Sequence, residues 1–208
     1  MTDSALPLFG DDAGDREPWV DDTFSTAHRV RLDAHSWVEH VPGWLAGAEQ
    51  VFEDLLASAR WEQRWRRMYD QTVREPRLTA EYAELLDAPE VLRSMASALT
   101  AHYGVSYDRL WINLYRTHRD STGWHGDGPS TRRRECIVPV LSLGAARRFL
   151  IRPTAGGASR TFRPLAGDLV VMGGRCQVDW RHCVPKEVGP SGPRISVNFA
   201  ATSQSRPD

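Results

Sequence analysis

The sequence predicts an α+β protein that is mainly β: an antiparallel β-sandwich or jelly roll buttressed by N-terminal helices. Two observations predict this fold. Before Gly104, apolar residues recur at helical spacing in two segments. After Gly104 come short segments that are rich in β-branched and aromatic residues and separated by Gly, Pro, Ser or Asp. Helices followed by closely spaced strands are typical of one antiparallel β-structure with helices packed against it.

Length and composition are those of a soluble globular chain. Its 208 residues suffice for one sizeable domain, with 41% of them hydrophobic and 25% charged. No segment approaches the roughly 18 apolar residues of a membrane span, and the first residues lack the pattern of a secretory signal. The three cysteines form no CxxC pair. We therefore expect a reduced, cytoplasmic, monomeric protein with no membrane partner.

The first 22 residues differ in charge from the rest. They contain seven acidic residues against Arg16, so residues 1–22 form an acidic leader that we expect to be mobile. Residues 23–208 are expected to form a single, mildly basic domain. Of the lysines and arginines of the chain, only Lys186 is a lysine. Arginine suits phosphate binding, although codon bias is the simpler explanation of its frequency.

Two segments have the spacing of amphipathic helices. Residues 43–60 place their apolar side chains on one stripe, and residues 88–104 repeat the pattern and end at Gly104, a suitable C-cap. We expect both stripes to face the core. They consist of Trp44, Ala48, Val51, Phe52, Leu55 and Leu56 in the first segment and Val91, Leu92, Met95 and Leu99 in the second.

The predicted strands are short, apolar and bounded by residues that favour turns. They are RLWINLYR, ECIVPVLSL, RRFLIRP, SRTFRPL, DLVVMGG and RISVNFA. Between the two helical segments, residues 60–82 interleave tryptophan and tyrosine with arginine and follow no clean period. We predict a functional lid or loop with edge strands there.

The stretch WHGD contains a candidate pair of metal ligands, His125 and Asp127. In an extended segment alternate residues share a face, so the imidazole and the carboxylate point the same way. They are two thirds of the 2-His-1-carboxylate triad that holds non-haem Fe(II), and His182, 57 residues further on, is the candidate third ligand. Short motifs also arise by chance, so a solvated turn with an unrelated histidine is the alternative.

Three more residues suit an anionic co-substrate beside such an iron. A 2-oxo dicarboxylic acid needs a cation for its distal carboxylate, and Arg194 begins the last strand segment. Asn113 and Tyr115 share one face of an earlier strand and can both hydrogen-bond an anion. The alternatives are an ordinary arginine at a strand edge and a buried polar pair satisfied by the backbone.

The motifs NLYR…WHGD, GDLVVMGGRCQVDWRHCVPK and GPRISVNF together resemble the AlkB family of Fe(II)- and 2-oxoglutarate-dependent dioxygenases. The resemblance runs from about Val41 to Phe199 and includes the order and spacing of the motifs. It implies a double-stranded β-helix, or jelly roll, that uses Fe(II), 2-oxoglutarate and O2. It also implies oxidative dealkylation of nucleic-acid bases in DNA or RNA repair, releasing aldehyde, succinate and CO2. The implied partner is a nucleic acid with a single-stranded or flipped-out base.

The resemblance also implies roles for individual residues. The implied iron ligands are His125, Asp127 and His182. The implied 2-oxoglutarate contacts are Asn113, Tyr115, Arg194 and Ser196. The implied substrate contacts are Met68, Tyr69, Arg77 and Trp124, the first three within a segment that resembles the family's nucleotide-recognition lid. Trp124 and Trp180 are expected to wall the pocket, and the arginines of RWRR and TRRRE are candidates for contacting phosphates.

Two positions depart from the family pattern. The family's last strand carries a second arginine six residues after the first, and this chain has Ala200 there. Many members place an acid two residues after the aspartate ligand, and this chain has Pro129 there. The departures motivate two alternatives. One is a hydroxylase or demethylase of the same fold that acts on a small molecule or peptide, and the other is a nucleic-acid-binding module with impaired turnover.

Overall fold

The computed structural model describes residues 17–68, 70–127 and 135–202, with only the backbone described at 66–68. Most of the acidic leader therefore lies outside the described residues. Tyr69, Pro129 and the arginines of TRRRE also lie outside them, and the side chain of Met68 is not described. No helix in these ranges is long and apolar enough to cross a membrane. All three cysteines are buried.

The described chain begins with short strands and its first helix. These are β1 (Trp19–Val20), β2 (His28–Arg31), β3 (Ser36–Val41), β4 (Leu45–Ala46) and α1 (Ala48–Ser58). Next come β5 (Trp65–Met68), β6 (Gln71–Arg74), β7 (Leu78–Tyr82) and α2 (Glu90–Tyr103). The rest comprises β8 (Arg109–Tyr115), β9 (Cys136–Gly144), β10 (Phe149–Pro153), β11 (Arg160–Phe162), β12 (Leu169–Gly174), α3 (Cys176–Asp179), β13 (Trp180–Cys183) and β14 (Arg194–Ala200).

Two antiparallel sheets form the jelly roll that the sequence predicted. The larger has seven strands in the order β2-β3-β12-β9-β14-β8-β7, and the smaller has the order β11-β10-β13. Helices α1 and α2 pack on one face of the large sheet in a continuous apolar core. A second apolar cluster lies between the other face of the large sheet and the small sheet. The mainly β fold class is thereby confirmed.

Strands β8 and β14 divide their side chains between these two layers. Because strand side chains alternate in direction, every second residue faces the helices and the others face the small sheet. The residues toward the helices are Leu110, Ile112, Leu114, Ile195, Val197 and Phe199. The opposite face carries Trp111, Asn113 and Tyr115 on β8 and Arg194, Ser196 and Asn198 on β14. Asn113 and Tyr115 therefore share a face, as predicted.

Both amphipathic helices form, with one correction. Helix α2 ends at Gly104, whose φ of 66° is left-handed and whose N–H donates to the Thr100 carbonyl oxygen. Helix α1 begins only at Ala48, after Gly47 with φ 73°. Trp44 is fully buried in the core but precedes the helix, so its assignment to the helical stripe was wrong. The left-handed glycine interrupts the helical path before α1 begins.

The expected order of helices first and strands afterwards was incomplete, because β1 to β4 precede α1. Strand β3 is hard to predict from the sequence because one of its buried residues is a glutamate, which is unusual in the interior of a sheet. Glu39 is 6% exposed and is satisfied by Arg29 Nε at 2.9 Å and the Tyr103 hydroxyl at 2.7 Å. These partners lie elsewhere in the sequence, so the segment's own pattern does not reveal that the glutamate is compatible with a central strand.

The segment predicted as a lid folds as a hairpin followed by an edge strand. Strands β5 and β6 pair with each other, with Trp65 opposite Arg74 and Arg67 opposite Thr72. Strand β7 then pairs with β8 and is the last strand of the large sheet. The edge-strand prediction is confirmed. The function of the hairpin as a lid stays a prediction.

Candidate metal centre and co-substrate pocket

The backbone holds His125 and His182 side by side. The His125 N–H donates to the His182 carbonyl oxygen at 3.0 Å, and the His182 N–H donates back to the His125 carbonyl oxygen at 2.9 Å. Residues paired in this way project their side chains from the same face. The two imidazole rings therefore lie with centroids 4.3 Å apart.

Asp127 completes a cluster of three ligating side chains. Its Oδ1 lies 3.9 Å from His125 Nε2 and 3.7 Å from His182 Nε2. The candidate ligand atoms all lie within 4.8 Å of one another. The structure thus brings together the three residues that the sequence nominated, and two imidazoles with one carboxylate are a donor set that suits Fe(II).

The two histidines present their Nε2 atoms to Asp127. His125 Nδ1 lies 2.8 Å from the Gly123 carbonyl oxygen, which can only accept, so Nδ1 donates and Nε2 is the ring nitrogen left for a metal. Burial lowers the pKa of His182 from 6.5 to about 4, against the opposing attraction of the Asp127 carboxylate. Near neutral pH the Nε2 lone pair of His182 can therefore be directed at a metal.

Arg194 is a buried cation, and some of its hydrogen-bond donors have no partner within the described part of the chain. It is 1% exposed. Its Nη2 donates to Ser142 Oγ at 2.9 Å, while Nε and Nη1 have no hydrogen-bond partner among the described residues. Burial lowers the pKa of the guanidinium, and electrostatic attraction by the Tyr115 side chain counters this in part. A buried guanidinium with two unused donors fits a carboxylate, so Arg194 is no ordinary strand-edge arginine.

The metal cluster and Arg194 line the same small cavity, which measures about 50 Å³. Its walls also include Asn113, Tyr115, Ser196 and Arg77. The Asn113 Oδ1 accepts from Arg77 Nε at 3.0 Å, and its Nδ2 lies 3.4 Å from Ser196 Oγ. Asn113 is therefore satisfied by side chains rather than by the backbone. Every residue predicted to contact 2-oxoglutarate faces this one pocket, together with Arg77, which was predicted to contact substrate.

The two tryptophans expected to wall the pocket lie elsewhere. Trp124 stacks against the Arg152 guanidinium at 4.1 Å and is not among the residues that line the metal pocket. Trp180 donates from Nε1 to Asp33 Oδ2 at 2.6 Å. Trp124 directly precedes His125, whose side chain faces the pocket, so the alternation of an extended chain turns Trp124 away.

Arg147 is a functional candidate that the sequence did not single out. It is completely buried, and its Nη2 donates to the carbonyl oxygens of Asp120 and Pro185, both at 2.7 Å. Those carbonyls belong to the loop that leads to His125 and the loop that follows His182. One side chain thus ties together the two segments that carry the histidines.

Ala200, where the family carries a second arginine, lies directly opposite Arg109 in the pairing of β14 with β8. Paired residues share a face, so a neighbouring strand supplies a cation at this point of the sheet. Arg109 lines a larger adjacent cavity and not the metal pocket. Of the described arginines, Arg77 and Arg194 line the metal pocket itself.

A jelly roll with a His–Asp–His cluster and an adjacent anion pocket defines a mononuclear non-haem metal site. The family model described as the 2OG-Fe(II) oxygenase superfamily matches residues 49–200. The chain belongs to this superfamily, whose members use Fe(II), 2-oxoglutarate and O2. The residues fit these groups: His125, Asp127 and His182 would hold the iron, and Arg194 would hold the distal carboxylate.

Individual relatives are similar over much of the chain. The chain is 36% identical over 181 residues to "Alpha-ketoglutarate-dependent dioxygenase alkB homolog 3" of Bos taurus, covering 76% of this chain and 63% of that protein. It is 25% identical over 119 residues to "DNA oxidative demethylase ALKBH2" of Arabidopsis thaliana, covering 46% and 38%. The solved structure "The structure of OsALKBH1" shares the fold, with a TM-score of 0.57, 14% identity and coverage of 84% of this chain and 100% of that one. The chain spans about 60% of the length of the bovine and human alkB homolog 3 proteins.

We predict that His125→Ala, Asp127→Ala and His182→Ala each abolish high-affinity Mn(II) binding and Fe(II)-dependent turnover, because a triad has no spare ligand. Calorimetry with Mn(II) and circular dichroism would measure binding and folding. His28→Ala on the exposed strand β2 is the matched control. Normal metal binding by any of the three variants would contradict the assignment.

We predict that Arg194→Ala weakens 2-oxoglutarate binding to the Mn(II) protein by about 2–5 kcal/mol, because a buried carboxylate loses its charged partner. Anaerobic calorimetry would measure the affinity. Arg194→Lys should recover only part of it, because an ammonium cannot form the bidentate pair. An unchanged affinity in the alanine variant would place the co-substrate elsewhere.

Proposed function

We propose that the protein catalyses the Fe(II)- and 2-oxoglutarate-dependent oxidative dealkylation of alkylated nucleic-acid bases, releasing aldehyde, succinate and CO2. The observation that carries this proposal is the similarity to alkB homolog 3 over 76% of the chain. The family model matches residues 49–200, which contain all residues that line the metal pocket. Bound iron and 2-oxoglutarate would supply the oxidising power for hydroxylating an N-alkyl carbon. The residues of this chain bind, orient and enclose the reactants.

A second cavity beside the metal pocket supports a planar, hydrogen-bonding substrate. It measures about 320 Å³ and shares Arg77, Trp111 and Asn113 with the metal pocket. Its walls offer the aromatic faces of Trp111 and Tyr82 for stacking and arginine side chains as donors. A flipped-out or single-stranded base needs this combination of stacking surface and polar edges. Trp111 was not nominated from the sequence, because it resembles any core aromatic of a strand.

Two carboxylates line this second cavity, and each is ion-paired with an arginine of the same cavity. Glu75 pairs with Arg77 at 3.0 Å, and Glu81 pairs with Arg64 at 2.9 Å. Both glutamates line the cavity. Alkylation of a ring nitrogen that lacks a proton leaves a base positively charged, and a carboxylate favours such a ring. Glu75 and Glu81 are thus the proposed acidic contacts to the damaged base.

The face that carries Trp124 supports phosphate contacts. Arg152 stacks on Trp124 and lies opposite Arg181 on β13. Neither arginine forms an ion pair within the described part of the chain, so each retains its charge for an anion. His182 is adjacent to Arg181 in β13, which places this basic surface on the strand layer that carries a metal ligand. We propose that Trp124, Arg152 and Arg181 contact the substrate backbone.

The test of this function is a turnover assay on single-stranded and duplex oligonucleotides with defined N-methylated bases, alongside the same methylated nucleosides. Mass spectrometry would detect loss of the methyl group, and formaldehyde and succinate should form in equal amounts. Turnover of free nucleosides alone would favour a small-molecule enzyme. Oligonucleotide binding without succinate formation would favour a binding module.

We predict that Arg152→Ala weakens oligonucleotide binding about equally for all sequences and lowers the slope of log K against log salt by about 1, as expected for one lost phosphate contact. Uncoupled 2-oxoglutarate decarboxylation should persist. Arg31→Ala on the far edge strand β2 is the control and should change neither quantity. An unchanged salt slope in Arg152→Ala would remove this surface from the interface.

A further inference from the structure

Gln177 is a buried polar residue whose location connects it to the metal cluster. It lies on α3, the four-residue helical turn between β12 and β13, and its side chain is 0% exposed. The strand that follows α3 carries His182. A buried amide is costly unless its donor and acceptor are used, so its partners indicate its role.

Both polar atoms of the Gln177 amide bond to Asp127. The Nε2 donates to Asp127 Oδ2 at 2.9 Å, and Oε1 accepts from the Asp127 backbone N–H at 2.8 Å. The orientation of the amide is fixed by its partners, because the flipped amide would place its oxygen against a carboxylate oxygen. Gln177 thus clamps the backbone and side chain of one candidate ligand from 50 residues away.

The clamp makes the two oxygens of Asp127 unequal. Oδ2 faces the Gln177 amide, whereas Oδ1 faces His125 Nε2 and His182 Nε2 at 3.9 and 3.7 Å. We propose that Gln177 is a positioning residue that presents Asp127 to the metal through Oδ1 alone. The bond to Nε2 holds Oδ2 toward the amide and so opposes rotation of the carboxylate to offer both oxygens.

Binding of Asp127 through a single oxygen matters because a facial triad leaves coordination positions of the metal open for other ligands. A carboxylate that bound through both oxygens would occupy one more position, in competition with the 2-oxo acid. Gln177 would therefore support co-substrate binding without touching the co-substrate. Gln177 would thus orient a metal ligand through hydrogen bonds. Mutation of such a residue typically lowers metal affinity or activity 10- to 100-fold.

The turn that carries Gln177 is rigidly anchored, as a clamp requires. Arg175 and Asp179 form an ion pair across the turn with Nε to Oδ2 at 2.6 Å. Arg181 donates to the Gln177 carbonyl oxygen at 3.3 Å, and Cys176 Sγ donates to the Trp37 carbonyl oxygen at 3.1 Å. One short segment thus supplies His182 directly and orients Asp127 through Gln177.

The test is Gln177→Met, which keeps the size of the side chain and removes both hydrogen bonds. We expect Mn(II) affinity to fall 10- to 100-fold, and 2-oxoglutarate to bind more weakly even at saturating Mn(II). The visible spectrum of the Co(II) protein should change, because it reports the number of bound ligand atoms. Gln50→Met is the matched control, since Gln50 also donates to an aspartate, Asp54, but on the exposed surface of α1.

A purely structural role would give a different result. Gln177→Met would then unfold at a lower temperature, while the folded protein would keep wild-type affinities for Mn(II) and 2-oxoglutarate and an unchanged Co(II) spectrum. That result would overturn the proposal. If the methionine variant does not fold, Gln177→Asn is the second test of the proposal. The asparagine amide is one methylene too short to reach Asp127. This variant should therefore show the same losses of Mn(II) and 2-oxoglutarate affinity. The proposal concerns the metal centre alone. Its test therefore does not depend on which substrate the protein oxidises.

Discussion

The site depends on one pair of backbone hydrogen bonds, those exchanged between His125 and His182. These residues are 57 positions apart, and the exchange fixes their imidazoles on one face with centroids 4.3 Å apart. Strand β13 is held on one side by β10, and Arg147 ties the adjoining loops together from within the protein. The metal cluster is therefore anchored to strand β13, to which a two-residue bridge ties His125, as a rigid ligand set requires.

The alternation of side chains along β8 and β14 lets the same two strands line both the core and the pocket. Their apolar faces pack against α1 and α2, while their polar faces carry Asn113, Ser196 and Arg194 into the space below the small sheet. Burying Arg194 with two unused donors disfavours the folded chain, and a carboxylate ligand would offset that penalty. The donors that suit a dicarboxylate are thus the same donors whose burial disfavours the folded chain.

Local patterns predicted the helices, most strands and the shared face of Asn113 and Tyr115, because periodicity is itself local. The proximity of the three candidate ligands followed from motif spacing and the family resemblance. The roles of residues that could not be predicted depend on partners that lie far away in the sequence. Glu39 looks unfit for a strand until its distant partners are known, and Gln177 looks like any helix-surface glutamine until it meets Asp127. Their roles arise from tertiary contacts.

The central claim is that metal and 2-oxoglutarate occupy one pocket and stabilise each other there. The most direct measurement is anaerobic calorimetry of 2-oxoglutarate binding to the wild-type protein with and without Mn(II). Sharing a pocket predicts one site per chain and an affinity raised about 5- to 150-fold by the metal. Linkage requires that 2-oxoglutarate tighten Mn(II) by the same factor. Binding of 2-oxoglutarate that is independent of Mn(II), or at more than one site, would contradict the account.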